Sequence, residues 1–120
     1  MFSDTITITI DSVAKVLNRI NQDGYSSEYF LRETTGDFRL KIRNTSYTDK
    51  SRAVVIDRHN CELVQTVYPA DVGASNRILK SYYVFEIEQA DDIAVAIDTF
   101  VGHVAFLTEA NMTKMANWES

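Results

Sequence analysis

The feature that most constrains this chain is a change of period. Up to Glu88 its apolar residues recur mostly every second position, and after Ala90 they recur every 3.6. Thr5-Ile6-Thr7-Ile8-Thr9-Ile10 alternates without a break, which is a strand with one face toward a core. Lys80 to Glu88 does the same, with Tyr83, Phe85 and Ile87 opposed to Tyr82, Val84, Glu86 and Glu88. Beyond Ala90, residues Ile93, Ile97, Phe100, Val101 and Val104 share one helical face, and Asp91 and Asp92 stand where a helix N-terminus favours negative charge. Thr108 or Asn111 can cap a second, short helix carrying Met112, Met115 and Trp118. Strands first and helices last predict an α+β fold built on an antiparallel sheet.

Between these ends the signals vary in strength. Asp11-Ser12 supplies a turn. Val13, Val16, Leu17 and Ile20 then fall at i, i+3, i+4 and i+7, so this stretch reads either as a helix or as a strand returning from the turn. Asn21 to Gly24 is a loop. Glu28 to Thr34 and Asp37 to Tyr47 read as a hairpin joined at Thr35-Gly36-Asp37. In its second strand Phe38, Leu40 and Ile42 point one way and Arg39, Lys41, Arg43 and Thr45 the other. Ala53 to Tyr68 is extended, with a bend or division expected near Asp57. Across it Cys61, Leu63 and Val67 face a core while Arg58, Asn60, Glu62 and Thr66 face away. Pro69 to Asn76 is the longest loop signal.

A chain of 120 residues with 45% hydrophobic and 24% charged residues is expected to form a single domain over residues 1–120. That length predicts burial of roughly two thirds of the surface exposed by the unfolded chain. The lone Cys61 excludes an internal disulfide framework, and neither a membrane span nor a signal-peptide layout is present, so a soluble protein of a reducing compartment is expected. Charge is divided. Net charge is −5, yet residues 39–58 hold six bases against two acids, while residues 81–120 hold seven acids against Lys114. One surface is therefore expected to be basic and another acidic, unless the charges simply scatter over solvated loops.

Catalytic material is thin. His59 and Cys61 share a strand face with no third group to orient them, so packing and interface roles are expected rather than catalysis. His103 lies beside the apolar helical face. No metal site, cofactor motif or catalytic motif is expected. What remains is the polar sheet face. Arg39, Lys41 and Arg43 lie about 6.5–7 Å apart, comparable to a phosphate repeat, and Tyr82 and Glu86 offer a stacking ring and an acceptor for base edges.

Several segments, in this order and spacing, resemble the coat proteins of single-stranded RNA bacteriophages, the levivirus group. They are Thr5–Ile10, Val13–Asn21, Phe38–Arg43, Asp57–Leu63, Ser81–Glu86 and the terminal Asn117–Ser120. The resemblance implies an N-terminal β-hairpin, a five-stranded antiparallel sheet and two C-terminal α-helices, with two subunits interlocked as a dimer. It makes Val13–Ile20 a hairpin strand. It further implies a closed icosahedral shell in the virion, assembled in the bacterial host cytoplasm, with single-stranded viral RNA inside and no membrane partner. The sheet would also bind an RNA hairpin and repress translation. The positions matching the RNA-contacting face are Arg39, Lys41, Arg43, Thr45, Arg58, Asn60, Glu62, Tyr82 and Glu86; the register of Arg58–Glu62 is open by one residue. The loop from Pro69 to Ile78 would surround the symmetry axes. A non-viral RNA-binding regulatory dimer with no shell is the second reading, and a small enzyme centred on His59 and Cys61 the third.

Overall fold

A computed structural model describes all 120 residues. Six strands follow one another as an antiparallel meander in the order β1-β2-β3-β4-β5-β6. They are β1 (Thr5–Ile10), β2 (Val13–Gln22), β3 (Ser26–Glu33), β4 (Gly36–Asp49), β5 (Val54–Val67) and β6 (Arg77–Glu88). Helices α1 (Ile93–Phe106) and α2 (Glu109–Ala116) close the chain. The α+β order matches the sequence reading. The strand count does not: the expected hairpin plus five-stranded sheet is one continuous six-stranded sheet. The expected N-terminal hairpin is present as β1–β2 but is continuous with the sheet through the β2–β3 pairing, and β5 runs undivided through Asp57.

Asp11 and Ser12 link β1 to β2 with φ of 50° and 64°, the left-handed pair that a two-residue hairpin turn of matching twist requires. Of the two readings of Val13–Ile20, the helix is overturned and the strand returning from the turn holds. β2 is a strand whose inward residues are Lys15, Leu17 and Arg19, while Val16 on the opposite face is exposed. Two charged groups point inward because distant partners receive them. Lys15 Nζ donates to both Glu33 carboxylate oxygens at 2.9 and 3.0 Å, and Arg19 donates to Asp4, to the Ser3 carbonyl and to the Tyr29 hydroxyl.

Between Arg19 and Asn21 the β2–β3 register shifts by one residue, a bulge that bends the first hairpin over the sheet. The curl shows in the core. Lys15 of β2 reaches across to β4, its Nζ 5.6 Å from the Phe38 ring centroid, and Ile6, Ile8 and Ile10 of β1 pack against the cluster of Leu17, Tyr29, Phe38 and Leu40. The β3–β4 turn is Thr34-Thr35, one residue earlier than the expected Thr35-Gly36-Asp37 connection. Gly36 already belongs to β4, where a Cβ would lie 2.2 Å from the Thr66 carbonyl oxygen. Only glycine permits that approach.

Helix capping follows the sequence. The Asp92 side chain accepts from Ala94 N–H, and Thr108 accepts from Asn111 N–H. Residues 69–76 are irregular, with Gly73 at φ +90°.

The expected burial of roughly two thirds of the unfolded surface is not reached within the single chain. Only seven residues are buried and neither helix buries one. The accessible surface is 9117 Å², where a compact monomer of this mass would expose about 6,600 Å². The radius of gyration is 17.4 Å against about 13.6 Å for a compact chain of this length. Ile93, Val95, Val101, Val104, Phe106, Met112, Met115 and Trp118 all stand exposed.

Candidate nucleic-acid interface

Strand register divides the sheet into two faces of opposite chemistry. On the helix side lie Tyr29, Phe38, Leu40, Ile42, Leu63, Cys61, His59, Tyr83, Phe85 and Ile87. α1 leans on this side, with Phe100 and Phe85 ring centroids 5.0 Å apart and His103 Nδ1 3.1 Å from the Tyr83 hydroxyl. An apolar cleft of about 270 Å³ remains open there, lined by Tyr83, Phe85, Ile97, Phe100, Val101 and Val104. His59 stacks on Phe85 at 5.0 Å and shares a 2.7 Å hydrogen bond with Asn44. Desolvation pushes the Cys61 thiol up, opposite to what a nucleophile needs.

All nine residues singled out for RNA contact fall on the other face. Because antiparallel partners sit side by side, they form rows across the sheet: Lys41–Glu62–Tyr82, Arg43–Asn60–Val84 and Thr45–Arg58–Glu86, with Arg39 in the adjoining row beside Val64 and Lys80. In strand geometry the rows repeat every ~7 Å and the columns every ~4.8 Å. The patch is therefore long enough to follow several nucleotides. Tyr82 is 65% exposed, its ring free to meet a base. Arg58, Asn60 and Glu62 do point to this face, in the register β5 makes with both neighbours.

The electrostatics are less one-sided than the run of bases in β4 suggests. β3 brings Glu28 beside Lys41, and Arg39 is ion-paired to Glu28 while its guanidinium stacks 4.9 Å above the Phe30 ring. Arg43 Nη2 donates to Glu62 Oε2 at 2.9 Å. Strands β3 to β6 place six bases on this face (Arg32, Arg39, Lys41, Arg43, Arg58, Lys80) against six acids (Glu28, Asp37, Asp49, Glu62, Glu86, Glu88). Lys41 and Arg58 have no ion-pair partner. The Tyr47 hydroxyl donates to Glu86, which holds the Tyr47 pKa above the ordinary phenol value. Asn60 Oδ1 is enclosed without a hydrogen-bond partner. Sequence reasoning passed over Glu28, Phe30, Tyr47 and Lys80. Their alternation was visible, but their adjacency depends on register between strands.

A family model for the coat protein of phage phiCb5 matches residues 3–88. The chain belongs to that coat-protein family. The matched segment holds all six strands and ends with β6, so both faces of the sheet lie inside it. No curated protein matches the chain. As a phage coat protein it is a structural component of the capsid and virion, not an enzyme, and it self-associates. The exposed apolar helices and undersized core suit a protein completed by assembly.

Proposed function

We propose that this coat protein is of the levivirus type. It dimerises, closes an icosahedral shell around single-stranded viral RNA in the host cytoplasm, and binds an RNA hairpin on its polar face as a translational repressor. The observation that carries the reading is the division of the sheet. Basic side chains and the exposed Tyr82 ring occupy one face, while the other, on which α1 leans, is apolar and open. β6 supports the dimer, since it ends the strand order and leaves a 12-residue edge of unpaired backbone groups. Joining two such edges and laying each pair of helices across the partner would cover both the edge and the apolar cleft. The excess surface of about 2,500 Å² per chain is of the size that obligate interfaces bury. Residues 69–76, outside the sheet and irregular, suit contacts around symmetry axes, whereas Arg77 and Ile78, expected in the same loop, already pair with β5 as the start of β6.

The test is expression of the full chain, followed by sizing and nuclease treatment. Megadalton particles holding nuclease-protected RNA support the reading. Empty particles would remove its RNA half. A stable free dimer that binds RNA and never forms particles would favour a regulatory RNA-binding dimer.

A further inference from the structure

We infer that Glu28 and Glu62 are internal competitors for phosphate, holding Arg39 and Arg43 in ion pairs so that each copy of the face grips single-stranded RNA weakly. This rests on the RNA-binding reading above.

The two pairs flank Lys41, because Glu28, Lys41 and Glu62 stand side by side on β3, β4 and β5. Their layering is alike. In the Arg43–Glu62 pair the arginine side chain is 47% exposed and the carboxylate 16%; in the Arg39–Glu28 pair the values are 41% and 21%. Each guanidinium therefore faces solvent with its countercharge already beneath it. A phosphate meets donors whose charge is compensated, and full contact requires the carboxylate to give way.

Stability does not explain these acids. Half-exposed ion pairs contribute little to folding, and a glutamine would fill the same space with the strands still paired. What the carboxylates change is the potential over the face. Along one packaged RNA, many copies act together, so weak grip per copy still sums to firm retention while each contact remains free to rearrange during assembly.

The test measures binding of the unassembled full-length chain to a labelled oligouridylate that has no secondary structure, across a range of salt. Glu28→Gln and Glu62→Gln are each expected to tighten binding by about two- to fivefold, the range an exposed ion pair allows. Each should steepen the salt dependence by about 0.7 in the log–log slope, one added phosphate contact on a single strand. Asp98→Asn on α1 makes the same charge change away from the sheet and should alter neither. Circular dichroism matching the parent confirms folding of each variant. Variants that bind where the parent does not would also support the inference. If the parent binds and the glutamine variants bind equally or more weakly, the inference is overturned and the RNA-binding reading stands, with Glu62 reading a base edge instead. If neither parent nor variants bind at any salt, both are overturned.

Discussion

Truncating Tyr82 and truncating Lys41 should weaken RNA binding in ways that a salt titration separates. Tyr82 lies beside Glu62 at the outer column of the polar face, 65% exposed, so Tyr82→Ala removes little folding energy and one stacking platform. Base–aromatic stacking is worth roughly 1–3 kcal/mol, so affinity for a looped RNA should fall about five- to 150-fold with an almost unchanged salt slope. Tyr82→Phe keeps the ring and should retain most of that affinity. Lys41 has no ion-pair partner, and its ammonium is free to release a counterion on meeting phosphate. Lys41→Ala should therefore flatten the log–log salt slope by about 0.7 and weaken hairpin and unstructured RNA alike. Fluorescence anisotropy with both RNAs, on unassembled protein, reads all four quantities. Equal slope changes for Tyr82→Ala and Lys41→Ala would refute the division into stacking and phosphate roles. Equal losses for Tyr82→Phe and Tyr82→Ala would refute stacking outright.

Three further expectations concern the scaffold. Ser12 holds φ +64° without being glycine, so Ser12→Gly should stabilise the first hairpin by up to about 1 kcal/mol in denaturant titrations at one fixed chain concentration. Gly36→Ala should destabilise by about 1–3 kcal/mol in the same assay, because its Cβ would meet the Thr66 carbonyl and force β4 and β5 apart. Hydrogen bonds from Gln89 and then Ser46 hold the Asp57 pKa below its ordinary value. Stability from this carboxylate is present above its unfolded pKa and is lost as pH falls through the lower folded one. Gln89→Ala should raise the Asp57 pKa more than Ser46→Ala does, as read by carboxyl NMR titration.

The sequence made some elements plain and hid others for identifiable reasons. β1 was legible because Ile6, Ile8 and Ile10 keep strict alternation against threonines. β2 was ambiguous between helix and strand, because its inward positions include Lys15 and Arg19, whose partners Glu33, Asp4 and Tyr29 lie 10 to 18 residues away in the chain. The division considered at Asp57 is absent: its carboxylate accepts from Gln89 and Ser46 on the helix side, and the strand continues through it. The polar face was legible by parity within each strand. Its near balance of charge was not, since Glu28 joins Arg39 and Lys41 only through the β3–β4 register. The undersized core was invisible in an ordinary composition, which counts apolar residues without saying which chain covers them.

Because strand order in the sheet equals strand order in the chain, each strand can pair with the one made just before it. As the chain leaves the ribosome, no strand waits for a distant partner and every loop to be closed is short, which favours rapid folding for an all-antiparallel sheet. At each moment the growing edge is the newest strand, and each strand covers the edge left by the one before it. β6 stays bare, and neither of the two helices that follow it has a fully buried residue. The bare β6 edge and the exposed apolar side chains of the helices thus emerge only after the earlier strands can already be paired.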